Sequence, residues 1–293
     1  MGFDRRAAAR EGRRGSCSRL SAASVPTLLL AATALCLADF RLTDPSSRIY
    51  YQYAMVAGER LQVQGSTEIA GNLHANGDVH LLQGSAVTGD VSAAGTVTRQ
   101  GTVTGTVREG TAPLTRPVLA SAEELRQTAD RVLAGDTELV DAVLDDVLFV
   151  DGDVRVRGTL RGVGTLISTG DIRLEPGSGA APPPDPASRL SLIALQDIRI
   201  DQDRAFRGVL YARRDVALQK GLRMAGVAIA GRNLTLDKDS RLDFVDFDTI
   251  PPLVTLVRPP HGALLATAAP TLEVSYSDEL SALDLATVRL LLD

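Results

Sequence analysis

The sequence predicts an all-β protein whose body is a single-stranded β-solenoid of about three hexad faces per coil. Three observations carry that prediction. A unit of Gly, then Asp, Asn or Thr, then an aliphatic residue returns at multiples of six positions. The chain has no Trp, only 4% aromatic residues and 26 Gly, which suits an interior of small aliphatic layers. Both cysteines, Cys17 and Cys36, lie near the N-terminus, so the body carries neither thiol nor disulfide.

At 293 residues and 44% hydrophobic residues, the chain is long and apolar enough to build one or two cores. A net charge of −5 gives no basic field to draw in nucleic acid. The arginines that do cluster, Arg5, Arg6, Arg10, Arg13, Arg14 and Arg19, precede an uncharged run from Val25 to Ala38, after which Asp39 and Arg41 restore polarity. Basic, apolar, then polar is the order of a secretory signal, with Ala32-Thr33-Ala34 or Cys36-Leu37-Ala38 as cleavage sites. Residues 1–38 therefore read as a signal peptide or membrane anchor, with a buried helix as the third alternative. The run is shorter than the roughly 20 residues a bilayer-spanning helix needs. Leu35 directly before Cys36 disfavours a lipoprotein.

The solenoid is assigned to residues 50–248. Its first block holds Gly71-Asn72-Leu73, Gly77-Asp78-Val79, Gly89-Asp90-Val91, Gly95-Thr96-Val97 and Gly101-Thr102-Val103, and the second Gly152-Asp153-Val154, Gly158-Thr159-Leu160, Gly164-Thr165-Leu166 and Gly170-Asp171-Ile172. A hexad of this kind gives one short strand with its aliphatic side chain inward and a corner at the Gly. Stacked coils then pile Val, Leu and Ile into columns. Sandwich strands would recur every 8 to 12 residues instead. A third block, with Gln196-Asp197-Ile198, Arg214-Asp215-Val216 and Gly231-Arg232-Asn233-Leu234, continues the stack in degraded form.

Two insertions interrupt the coils. Ser121 three residues before Glu124, then Leu125, Ala129, Val132 and Leu133, then Gly135, predict a helical insertion over 121–134 that flanks the solenoid or covers an open edge. The stretch 175–187 is rich in Pro and Gly and is expected to be a mobile loop that does not pack.

After the linker Ile250-Pro251-Pro252 come three β-like stretches, Leu253 to Val257, Thr271 to Ser275 and Thr287 to Leu292. Residues from Asp248-Thr249 onward, with the turn Arg258-Pro259-Pro260-His261-Gly262 and the segment Tyr276-Ser277-Asp278, resemble the opening of bacterial Ig-like surface domains. A sandwich of that kind needs about 100 residues, so 250–293 reads as a truncated Ig-like domain, a partial β-sandwich. The solenoid resembles the bactofilin-like, polymer-forming solenoids of bacterial envelope and pilus-associated proteins, in Ala54-Met55-Val56-Ala57-Gly58, Gly71 to Val79, Val150-Asp151-Gly152-Asp153-Val154 and Gly208-Val209-Leu210-Tyr211-Ala212. This resemblance implies a right-handed coil and a shape, not a reaction. It also implies self-association through the solenoid ends, with envelope or pilus components as partners. Bactofilins proper are cytoplasmic, and the N-terminal signal and Ig-like tail depart from that pattern.

No catalytic, cofactor-binding or metal residue is assigned. His74 and His80, six positions apart, fall on neighbouring faces, do not converge on one point and read as solvated residues beside turns. The acids Asp141, Asp145, Asp146, Asp151 and Asp153 lack aromatic sugar platforms and read as a solvated strand edge. Asp237, Asp239, Asp243, Asp246 and Asp248 crowd the solenoid-to-Ig junction, where calcium is conceivable, but their spacing matches no EF-hand or nonapeptide repeat. No phosphate loop or nucleotide site is implied. The expectation is an exported, non-enzymatic structural or adhesive protein of the cell envelope or surface, the solenoid acting as spacer or assembly surface. The alternative is a carbohydrate-binding or carbohydrate-active solenoid using the loop and helix as a cleft.

Overall fold

The computed structural model describes residues 52–115, 121–177 and 179–245, and two further strands at Leu253–Arg258 and Glu273–Ser277. The first 51 residues, assigned to a signal or anchor, and most of the Ig-like segment lie outside the described residues, including the stretch Thr287 to Leu292. The two strands pair antiparallel, Val254 opposite Tyr276.

The solenoid expectation holds. Short parallel strands stack on three faces, and equivalent residues of successive coils stand in register. On the first face the inward column runs Leu148, Leu166, Leu192, Leu210, Ala228, Met55, Leu73, Val91, Val107. On the second it runs Val154, Ile172, Ile198, Val216, Leu234, Leu61, Val79, Val97. On the third it runs Phe206, Met224, Leu242, Ile69, Val87, Val103. All but the last few members of these columns are fully buried, and Phe206 is the one aromatic ring among them. Branched aliphatic chains fill the columns at an intercoil spacing of about 4.8 Å.

The order of the columns shows what the repeats alone do not. Residues 55–108 wind three coils toward one end of the stack. The chain resumes at the opposite end of the stack with Arg131–Ala134, from where residues 131–243 wind back. The last coil docks on the first, pairing Ala228 with Met55, Leu234 with Leu61 and Leu242 with Ile69. The first and third sequence blocks are therefore spatial neighbours across an internal seam. The coil at 131–144 has no coil beyond it among the described residues, and it exposes Val132, Leu133, Val140 and Val143.

The segment between the two windings has its own binding strip. On the outer side of the first face Phe149, Ile167, Ile193, Tyr211, Ile229 and Val56 stand in register and are buried. Leu114 and Leu125 pack onto them. Leu114 is pinned by Asn76, which accepts its N–H at 2.7 Å and donates to its carbonyl at 2.8 Å. Sheets covered on both sides read as continuous apolar runs, as Ser191-Leu192-Ile193-Ala194 does.

The flanking helix is shorter than its sequence signal. It spans Ala122–Gln127, with the expected capping box between Ser121 and Glu124. The predicted continuation to 134 is instead the strand Arg131–Ala134, drawn into the first face by pairing with Leu148 to Asp151. Gly135, expected as the helix C-terminal glycine, lies in the turn after that strand, and Thr128 is the cap.

The Asp of the hexad has a second task besides turning the chain. Along the corner between the first and second faces, one Oδ1 of Asp136, Asp153, Asp171, Asp197 and Asp215 accepts the backbone N–H of the next residue up the column, Asp153, Asp171, Asp197, Asp215 and Asn233, at 2.9–3.0 Å. The carboxylates thus bind coil to coil. Asp197→Ala is expected to cost about 1 kcal/mol while Asp197→Asn, which keeps the acceptor, costs less. Equal losses of melting temperature in both variants would refute the acceptor role.

Candidate functional site

The histidines do not form a site. His74 lies mid-strand on the outer side of the first face, and His80 lies on the second face. The expectation of two solvated histidines fails for His74, which is 2% exposed. Its Nδ1 is 2.8 Å from Ser92 Oγ, its Nε2 3.0 Å from Asn76 Oδ1, and Tyr53 tilts against it at 5.6 Å between ring centroids. Its partner Asn76 in turn holds Leu114 of the crossover segment, a link across 38 positions that no local pattern signals.

The acids read as a strand edge are exposed but committed to the next coil. Asp141 accepts the N–H and hydroxyl of Thr159 at 2.8 and 3.2 Å, Asp153 the N–H of Asp171, and Asp151 the Thr169 hydroxyl at 3.1 Å. Asp146 pairs with Arg131. Of the junction acids, Asp239 faces Lys220 and Asp243 faces Arg241, while Asp246 and Asp248 lie outside the described residues. Among the described residues no three His, Cys, Asp or Glu side chains converge.

Backbone and hydroxyl donation from Thr159 holds Asp141 below the usual carboxylate range, and Thr96 does the same to Asp78. Burial pushes His74 down as well. A carboxylate whose folded pKa is depressed contributes stability that is present above its unfolded value and is lost as pH falls through its folded value. A histidine kept neutral by burial contributes in full above its unfolded value near 6.5 and loses ground as pH drops below it. Melting temperature is therefore expected to fall in two stages on acidification, first through His74 and then through Asp78 and Asp141. His74→Gln should remove the first stage; an unchanged profile in that variant would show that His74 does not set it.

A concave feature stands at the corner between the second and third faces. On the outer side of the second face Arg155, Arg173 and Arg199 stack in register. Arg173 and Arg199 both pair with Asp201, at 2.7 and 2.6 Å, and that carboxylate is almost fully buried. The chain turns beyond Asp201 and meets the Pro/Gly stretch. Contrary to the expectation of a loop that does not pack, Ala181 is buried, Gly177 N–H donates to Gln202 O, and Arg207 Nη1 donates to the carbonyls of Pro186 and Ser188 at 2.6 and 3.0 Å. The carbonyls of Pro186 and of Ser188 just after the stretch are gathered by an arginine of the neighbouring coil, which composition alone does not reveal.

Beneath it lies a cavity of about 560 Å³ whose lining includes Leu160, Arg161, Pro176, Arg204, Phe206 and Arg207. Arg204 is 8% exposed. Its Nη1 donates to Gly158 O, and its Nε is enclosed without a partner. Burial lowers its pKa, opposed by the more distant charges of Asp141 and Asp201. Nothing in the spacing around Asp203-Arg204 marked it in the sequence.

No protein-family model matches the chain, and no curated protein does. Solved structures similar to it include an ice-binding protein from the Antarctic ascomycete Antarctomyces psychrotrophicus, at 16% identity over 67% of this chain and 96% of that one, TM-score 0.37. An ice-binding protein from an Arctic yeast matches at 15% identity over 71% of this chain and 96% of that one, TM-score 0.40. A Shewanella frigidimarina ice-binding protein domain matches at 15% identity over 67% and 95%, TM-score 0.33. Likeness at this level bears on neither ligand nor activity, so function is argued from the chain's own residues.

Proposed function

We propose that this chain is an exported, non-enzymatic protein of the cell envelope or surface whose solenoid is a side-mounted assembly and recognition surface. The observation that carries the reading is where the chain enters and leaves the stack. Ala54, at the start of the first coil, and Phe244, after the last, both press on Gly71: a Cβ built there would lie 2.8 Å from the Ala54 Cβ and 2.6 Å from the Phe244 Cβ. Phe244 N–H donates to Ala70 O at 2.7 Å. An inline spacer must separate its two attachment points, here by about 45 Å for ten coils spaced about 4.8 Å apart. Entry and exit at one seam favour assembly surface over spacer. Among the described residues they leave both ends and the outer faces free of the main-chain path, apart from the strip on which Leu114 and Leu125 pack and the corner covered by the Pro/Gly stretch. His74, Asp141, Asp151 and Asp153 are engaged in joining coils, which supports a binding role over a catalytic one. Self-association through the end coil at 131–144 belongs to the same proposal.

Protease shaving of intact cells, with mass spectrometry of the released peptides, tests the location. Recovery of solenoid peptides without any from before Ala38 supports it, and a fully protected chain overturns it. Spin labels at Gln52 and Val245 in a Cys17→Ser, Cys36→Ser background test the mounting. A short distance supports the side-mounted surface, and a separation near 45 Å restores the spacer.

A further inference from the structure

We propose that the cavity beneath residues 175–187 binds a ring sugar bearing one carboxylate, a uronic acid, with Arg204 receiving the carboxylate. The inference deepens the reading of the solenoid as a recognition surface and rests on it.

A buried guanidinium without an ion-pair partner is costly, because desolvation of the charge is not offset by a facing anion. Among the described residues no carboxylate lies within ion-pair distance of Arg204. The two whose charges act on it are engaged elsewhere, Asp141 by Thr159 and Asp201 by Arg173 and Arg199. Among the described residues its one acceptor, Gly158 O, is neutral, and Nε has none. A protein that keeps such a charge in a cavity wall presents a planar fork, and carboxylate matches that fork in two parallel hydrogen bonds.

The lining sets the rest of the ligand. It carries Arg161, Arg204 and Arg207 against Asp185 and Asp203. Asp185 is occupied by the N–H of Ala187 at 2.9 Å and the hydroxyl of Ser188 at 3.0 Å. Three cations against two anions leave one charge to neutralise, which fits a monoanion better than a dianionic phosphate. The volume lies within the range of small-molecule sites and holds one or two sugar rings. Pro176, Pro182 and Pro183 supply apolar surface for the ring faces. The arginine ladder of Arg155, Arg173 and Arg199 begins at the same corner, so an acidic polysaccharide can place one unit in the cavity and run along the second face.

Calorimetric titration of the full chain with galacturonate and glucuronate, and with glucose and inorganic phosphate as comparisons, tests the proposal. Binding of a uronate, with glucose at least about tenfold weaker, is expected, since a charge-assisted pair contributes roughly 1.5–3 kcal/mol. Arg204→Gln is expected to lose that binding while melting at the same temperature or higher without ligand, because it removes an uncompensated buried charge. An arginine that is merely structural would give the reverse, a lower melting temperature with binding intact, and would overturn the assignment. So would equal binding of glucose, tighter binding of phosphate, or no heat with either uronate. Surface exposure read by protease shaving is independent of all these results, so failure of the site and failure of the surface role are distinguishable.

Discussion

Leu61→Asp is expected to unfold the solenoid as a whole. Leu61 is fully buried in the second-face column, between Val79 of the next coil and Leu234 of the last coil. The substitution removes the burial of a leucine, about 2 kcal/mol, and places a carboxylate in a dry column where no partner can reach it, which costs several kcal/mol more. The sum is comparable to the whole stability of an ordinary domain, roughly 5–15 kcal/mol. The position also lies at the seam, where residues 170 positions apart meet, as Thr67 Oγ1 and Asp237 O do at 3.2 Å. Breaking it separates the coils at 55–108 from those at 131–243, and each part then presents an unpaired edge. Val97→Asp is the control, since Val97 sits in the same column at its outermost coil and is only partly buried. Its loss is expected to be about 1–2 kcal/mol. Thermal melting by circular dichroism reads both; a Leu61→Asp protein that melts with wild type would refute the column assignment.

That pair of substitutions also marks what the sequence could and could not reveal. The inward columns were legible because their determinant is local: Val79, Val97, Val154 and Ile172 each follow a Gly-Asp or Gly-Thr corner, and the hexad repeats the same geometry every face. The seam was not, because the hexads of the first and third blocks are chemically equivalent and nothing in Leu61 or Leu234 says which coil each will meet. The burial of His74 and the apolar outer strip from Phe149 to Val56 escaped for the same reason, since a segment far along the chain creates both environments. The helix signal was right about its start, where Ser121 and Glu124 cap it locally, and too long at its end, where pairing with Leu148 to Asp151 outweighed helix propensity. The cavity was least legible of all. Arg204 becomes unusual only when the Pro/Gly stretch folds over it, and that stretch is held by Arg207 of the coil beside it.

Gly208→Ala is expected to damage the fold almost as severely as a buried charge, through backbone rather than solvation. Gly208 has φ +148, in the region that favours glycine, and lies opposite Leu190 of one neighbouring coil and Gly226 of the other. A Cβ there would overlap the carbonyl oxygen of Leu190 and stand 2.7 Å from its carbonyl carbon. Those are backbone atoms, so no side-chain rotation relieves the overlap, and moving Leu190 disturbs its pairing with Gly164 on the other side. Gly226, its partner in the other neighbouring coil, also has a glycine-favouring φ of +150. The cost is therefore expected to exceed about 3 kcal/mol. Gly110→Ala separates strain from contact, because Gly110 has φ +63 but nothing within 4 Å of the added carbon. That variant should lose only about 1 kcal/mol, the intrinsic preference of a non-glycine residue against the left-handed region. Urea midpoints measure the difference, provided the slopes of the transitions match wild type. Equal losses in the two variants would mean that the coils yield at this corner. The stack would then be softer than a column of in-register backbone contacts requires.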